Sequence, residues 1–212
     1  MKTDGQSAVQ LLLLIGGLSL VPAMLFTVTG FTRILIVLGF IRSGLGTPTA
    51  PPNQVLVGIA LFLTMFVMFP TFTKVKDEAI VPLQKGKITQ EVALKRAEVP
   101  MREFMFDQTR TKDLALFAKL GKVEHPKKRA DIPTHVLIPA FIISELKTSF
   151  QIGFLIFLPF LIIDLVVGAT LMSMGMVMLP PVFISLPFKI LLFVLVDGWN
   201  LVTRSLVESF HV

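Results

Sequence analysis

Charge is concentrated in one part of this chain. Residues 73–135 hold 14 Lys/Arg and 9 Asp/Glu, whereas the other 149 positions share 11 charged residues. Ionised groups are costly in hydrocarbon, so a chain that keeps them out of long stretches is fitted to place those stretches in a bilayer. A hydrophobic fraction of 53% and a mean hydropathy of +0.78 agree with this, both above the soluble-globular norm. The sequence therefore predicts an all-α membrane protein with one polar insertion. A first apolar hairpin covers residues 1–72, a polar and mainly helical insert 73–135, and a second apolar hairpin 136–212. The net charge of +6 is modest, and the basic residues of the insert are interleaved with acids, which argues against a nucleic-acid-binding stripe. With no Cys, neither a disulfide framework nor a thiolate metal site can form.

Val9 to Phe31 is uncharged and long enough to cross a bilayer, which takes about 20 apolar residues. Ile34 to Ile41 extends the apolar pattern beyond Arg33, and Pro22 and Gly30 are the expected kinks. Met1 to Ser7 is polar and leads straight into this span, with no separate signal segment ahead of it. The Gly- and Pro-rich connector Arg42 to Asn53 forbids a continuous helix, and Val55 to Thr73 returns as the second arm. In the insert, Thr89 is expected to cap a short helix ending before Pro100. Pro100 and Gly121 are expected to bracket a second helix over 100–120. Lys127-Lys128-Arg129 reads as a solvated loop. Thr148 to Leu171 and Pro180 to Thr203 form the second hairpin. Arg33 and Arg42 flank the first connector with no acid nearby, which places it on the cytoplasmic side and the insert outside.

Between the arms of the second hairpin lies Met172-Ser-Met174-Gly-Met176-Val177-Met178, followed by Leu179, Pro180 and Pro181. Met is unbranched and polarizable, so such a run either fills gaps at a helix end or forms a soft, adaptable seal. Gly175 and the proline pair favour a loop, which sends alternate side chains to opposite sides. Glu145, Lys147, Asp164, Lys189 and Asp197 are ionisable groups in or beside apolar spans. Such groups face a protein interior or a water path. Glu145 and Lys189 belong to different arms and are candidates for an ion pair within or between subunits. Asp164 and Asp197 are candidate buried charges, Asp164 as a hydrogen-bonded structural carboxylate or a proton relay. Asp197 and Arg204 are seven apart, on one helix face if the helix is unbroken. Phe150, Phe154 and Phe157 make one helical stripe, read as packing surface. His125, His135 and His211 are scattered, and Gly44 and Gly46 lack the context of a phosphate loop. No pattern marks an enzyme, a metal site or a cofactor.

Three ordered motifs resemble the FliP family of flagellar type III export-gate proteins. They are Phe31 to Gln54, Pro139 to Phe154, and Ile163-Asp-Leu-Val-Val with the Met run, Leu186-Pro-Phe-Lys189 and Val196-Asp-Gly-Trp199. The likeness itself covers nearly the whole chain. The Phe-Thr-Arg form and the Thr-Pro connector look flagellar rather than like the related injectisome proteins. The resemblance implies a subunit of a protein-export channel in the bacterial inner membrane, at the flagellar basal body. It implies a pentamer of this chain with FliQ and FliR, working beside FlhA and FlhB and passing exported flagellar proteins. It further implies bent hairpins in a conical helical assembly, much of it on the periplasmic side, and commonly a cleavable N-terminal signal that this sequence lacks. The pore gate of the family maps onto Met176, Val177 and Met178, with Met172 and Met174 as possible flanks. Val177 stands where the family often has a third consecutive Met. Glu145 and Lys189 match family charges that pair between neighbouring subunits. The alternative is a small-molecule or ion transporter with Asp164 as coupling carboxylate, and a purely structural assembly nucleus is a third reading.

Overall fold

The computed structural model describes residues 16, 26–123, 128–176 and 178–210. Among these residues every regular element is helical. Most of the Val9–Phe31 span, with Pro22, lies outside them, as do Met1 to Ser7, His125, Lys127, Val177 and His211.

The chain turns at Thr29-Gly30 and enters α1, Phe31–Leu45. Gly30 is the point where a kink was expected. A Cβ there would meet the Phe210 ring at 2.6 Å, so the position needs a residue without one. The first connector begins slightly later than its composition suggests, because Arg42 to Leu45 are still helical. Gly46, at φ 76°, then ends α1. Its N–H reaches the Ser43 carbonyl at 3.1 Å and the Thr47 N–H reaches Arg42 O at 3.4 Å, the paired closure of a Schellman motif.

Helix α2, Asn53–Val75, continues through a π-helical turn, Lys76–Ile80, into α3, Val81–Gln84. The rise in charge at residue 73 therefore falls inside one continuous 32-residue helical run. In the insert, Thr89 accepts a bond from the Val92 N–H, but the helix it caps does not stop before Pro100. Helix α4 is Gln90–Gln108 and contains Pro100 on its buried face. The break comes at Thr109, where the chain turns extended. There the Arg110 N–H leaves the helix to donate to Ser144 Oγ at 3.1 Å. The helix thus runs through the bond that Pro100 removes and ends where a backbone donor finds a partner on another element. Helix α5 is Thr111–Leu120, and Gly121 is its C-cap as expected.

Helix α6, Thr134–Ser173, is a single 40-residue helix with Pro139 and Pro159 inside it. The span expected over 148–171 is its distal part. At 1.5 Å per residue α6 is about 60 Å long, roughly twice a hydrocarbon core. The return arm is broken. Helix α7, Pro181–Leu195, and helix α8, Gly198–Glu208, meet at a 65° bend. Asp197 sits at the bend with φ 50°, and a Cβ on Gly198 would meet the Phe193 ring at 2.4 Å. Asp197 and Arg204 are therefore not on one continuous helix. Arg204 instead pairs with Glu208 at 2.7 Å.

The helical runs Asn53–Gln84 and Thr134–Ser173 are each long and apolar enough to cross a membrane, with the bent α7–α8 pair as a third candidate. Helices α1 and α6 run side by side in the same direction. Arg33 meets Glu145, the Phe40 ring reaches Gly153, and the Phe160 ring reaches Gly44. The insert packs against the N-terminal half of α6, and the two hairpin turns lie at the opposite end of the molecule.

Candidate functional site

The Met run is the far tip of the α6–α7 hairpin. Ser173 is the last helical residue, and Gly175, at φ 76°, reverses the chain. Its N–H reaches Met172 O at 3.1 Å and the Met176 N–H reaches Leu171 O at 3.0 Å, a second Schellman closure. Pro181 then opens α7 at its first position, where the missing N–H costs nothing. The side chains of this turn are uncovered within the chain. Met178 is 98% exposed, Met172 68%, Met174 67% and Met176 40%. Val177 lies outside the described residues.

The tip projects. Gly46 of the first turn lies beside Lys189 and Val182, and Lys189 pairs with Asp164. By the hairpin register Val182 stands level with about residue 168, so about five residues of α6 extend past the Gly46 contact before the turn, roughly 8 Å at 1.5 Å per residue. An exposed apolar tip on a projecting hairpin is fitted to meet like tips or a passing chain rather than to pack inside its own subunit.

Lys189 supports the hairpin beneath the tip. Its Nζ donates to Asp164 Oδ2 at 2.6 Å, and Ser185 Oγ donates to the other carboxylate oxygen. Lys189 is buried, whereas the Asp164 side chain is 28% exposed. The same ammonium lies beside Gly46, at the C-terminal end of α1, where a cation is favoured by the helix dipole. It thereby joins the second hairpin to the turn of the first. Asp197, the other candidate buried charge, is exposed at the α7–α8 bend.

Glu145 lies far from this group, at the level of the insert. It accepts from Arg33 Nε at 2.9 Å and from Arg33 Nη2, a bidentate pair with side chains 1% and 2% exposed. Arg33 also donates to Ser209 O at 2.7 Å, Ser209 Oγ at 3.1 Å and Gln108 Oε1 at 3.2 Å. Its guanidinium lies 3.9 Å from the centre of the Phe210 ring. One cation thus ties together α1, the insert, α6 and the C-terminal end of α8. Among the described residues no buried side-chain nitrogen or oxygen lacks a partner.

The expected Glu145–Lys189 pair is therefore replaced, within the chain, by two separate pairs. Hairpin register gives the reason. Asp164 opposes Ser185 and Lys189, Phe160 opposes Phe193, and Gly168 opposes Pro181, all nearly symmetric about residue 175. Glu145 would thus stand opposite residues near 206, about 17 residues or 25 Å from Lys189. Sequence reasoning read Arg33 only as a flank of the first connector. The signal that marks it is the one applied to Glu145: an ionisable group within apolar sequence needs a buried partner.

In the stripe Phe150, Phe154 and Phe157, Phe150 packs edge-on to Phe40 at 5.4 Å. Phe157 approaches Gly44, and Phe154 faces outward.

Comparison with known proteins matches residues 14–206 to the FliP family. The chain is 59% identical to the flagellar biosynthetic protein FliP of Bacillus subtilis over 204 residues, 96% of this chain and 92% of that one. It is 56% identical to the protein of the same name from Pectobacterium carotovorum, over all of this chain and 83% of that one. It is 48% identical to the Aquifex aeolicus protein of that name, over 96% of this chain and 86% of that one.

Proposed function

This chain belongs to the FliP family, and we propose that it is a core channel-forming subunit of the flagellar type III protein-export gate in the bacterial inner membrane. Copies of the chain, five in the expected arrangement, assemble with FliQ and FliR beside FlhA and FlhB at the flagellar basal body. Their hairpin tips converge on an axis through which unfolded flagellar subunits pass. The observation that carries this reading is the projecting turn with Met172, Met174 and Met178 uncovered in the single chain. Apolar thioethers from several copies exclude water and ions when they meet. Because each side chain has three rotatable bonds and no branch, the ring yields to a passing polypeptide of any sequence. Outward-facing Phe62, Phe66, Phe69, Leu165 and Phe183 support a chain whose long helices are covered by lipid and by other subunits.

Asp164 accepts bonds on both oxygens, which supports a structural role for it rather than ion coupling. An exchange of ion pairs between copies, Glu145 of one with Lys189 of the next, would have to displace Arg33 and Asp164 from their present partners.

The test is the ion conductance of the assembled complex in a planar bilayer. Replacing Met176 and Met178 together by Ala should raise the leak severalfold while the complex still assembles. Unchanged conductance in a correctly assembled complex would remove the Met tip from the gate.

A further inference from the structure

The ten methionines of this chain fall into distinct environments, and the difference is chemical as well as geometric. Met68 is fully buried and Met105 is 3% exposed, each inside the helical core. Met65 is uncovered in the single chain, on a helical run long and apolar enough to cross a membrane. The four tip residues differ from all of these. They stand on the turn between α6 and α7, with Met178 almost wholly uncovered, and a Cβ added at Gly175 between them would meet nothing within 4 Å.

Susceptibility of a thioether to oxidation follows its exposure, and the product is a polar, chiral sulfoxide. We propose that the tip, Met172, Met174, Met176 and Met178, is a modification site for small peroxide-class oxidants, and that sulfoxidation there opens the seal. The step balances without a cofactor. The sulfur lone pair attacks one peroxide oxygen, the O–O bond breaks, an S=O bond forms and hydrogen peroxide leaves as water. Sulfur loses two electrons and the peroxide gains them. A sulfoxide is a strong hydrogen-bond acceptor and hydrates, so a ring of them admits the water that thioethers exclude. Any path wide enough to carry a polypeptide to the tip also carries a molecule the size of hydrogen peroxide. The change is reversible by the two stereospecific classes of methionine sulfoxide reductase. Both the consequence and the selectivity rest on the gate reading above: a ring of tips keeps its outer thioethers open to the channel, whereas Met68 and Met105 stay inside the helical core.

The test uses the assembled complex in bilayers, treated with dilute hydrogen peroxide, with peptide mass spectrometry and conductance read on the same sample. The expected result is an added oxygen on the tip peptide, fastest at Met178, with Met68 and Met105 unmodified. The leak should rise severalfold as the tip is oxidised. Reductase treatment should lower it again. A variant carrying Leu at positions 172, 174, 176 and 178 should show no peroxide-dependent rise above its own untreated value. Equal oxidation of Met68 and the tip would overturn the selectivity. A fully oxidised tip with unchanged leak would overturn the consequence. If the Ala variant at 176 and 178 leaks while the oxidised parent does not, this inference fails and the gate reading stands. If neither leaks, both fall.

Discussion

The two hairpin turns share one backbone plan and carry opposite side chains. Each closes its helix with a Schellman motif on a glycine at φ 76°, Gly46 or Gly175. Each then runs through a short loop to a pair of prolines at the start of the next helix, Pro51-Pro52 just ahead of α2 or Pro180-Pro181 with Pro181 as the first residue of α7. In the first turn the side chains are tied down. Thr47 Oγ1 donates to the Ala50 carbonyl, Arg42 donates to Asn53, and Gly46 lies against Lys189 and Val182. In the second turn nothing lies within 4 Å of a Cβ at Gly175, and the methionines face outward. The same loop grammar therefore serves as an anchor in one place and as a presented surface in the other. What differs is whether the turn has a neighbour to pack against.

The largest expected effect breaks the anchor. Lys189→Met leaves Asp164 with Ser185 alone and removes the cation beside Gly46. Losing one partner of a fully buried pair costs roughly 3–5 kcal/mol, and the partial exposure of Asp164 lowers this to about 2–3 kcal/mol. Adding Asp164→Asn should recover part of the loss, read by thermal unfolding in mixed micelles. A single variant as stable as the parent would show that Lys189 does not join the hairpins.

Next in size are the glycines. Ala at either position forces a side chain into the left-handed region, at roughly 1–2 kcal/mol. Gly46→Ala and Gly175→Ala should cost about the same, because a Cβ at 46 meets Lys189 Nζ and Val182 Cγ1 at 3.6 Å, an ordinary contact. Val should separate them, pressing on those neighbours at 46 and on nothing at 175. Equal melting temperatures for the two Val variants would erase the distinction between anchored and free turns.

The smallest stability effects come from the loop side chains. Thr47→Val removes one hydrogen bond and should cost about 1 kcal/mol. Met178→Ser touches an uncovered side chain and should change stability by less than about 0.5 kcal/mol. Its effect should instead appear as leak in the assembled complex, where Thr47→Val has none. A reversal of these two phenotypes would exchange the roles assigned to the turns.

Much of this plan is written in local sequence. Gly and Pro mark both turns, Thr89 and Gly121 mark helix ends, and the uncharged runs mark the spans, because each signal acts through its own backbone or its own solvent. Signals failed where a distant element supplied the partner. Pro100 does not end its helix, and the break falls at Thr109, where Ser144 receives the freed Arg110 N–H. The return arm bends at Asp197, with Gly198 close against Phe193. The hairpin register was within reach, since pairing about residue 175 sets Asp164 against Lys189 and carries Glu145 out of range.

By itself, the sequence determined which stretches enter an apolar medium, where the chain reverses, and that four thioethers gather at one reversal. These follow from long uncharged apolar runs, glycine's access to positive φ and proline's missing donor, all properties of a residue and its immediate neighbours. Only the tertiary structure decided that Arg33 belongs to Glu145, that Lys189 belongs to Asp164, and that the Met turn stands clear of the turn beside it. Those outcomes depend on how far one helix slides along another. A shift of one helical turn changes every partner and leaves the local pattern untouched.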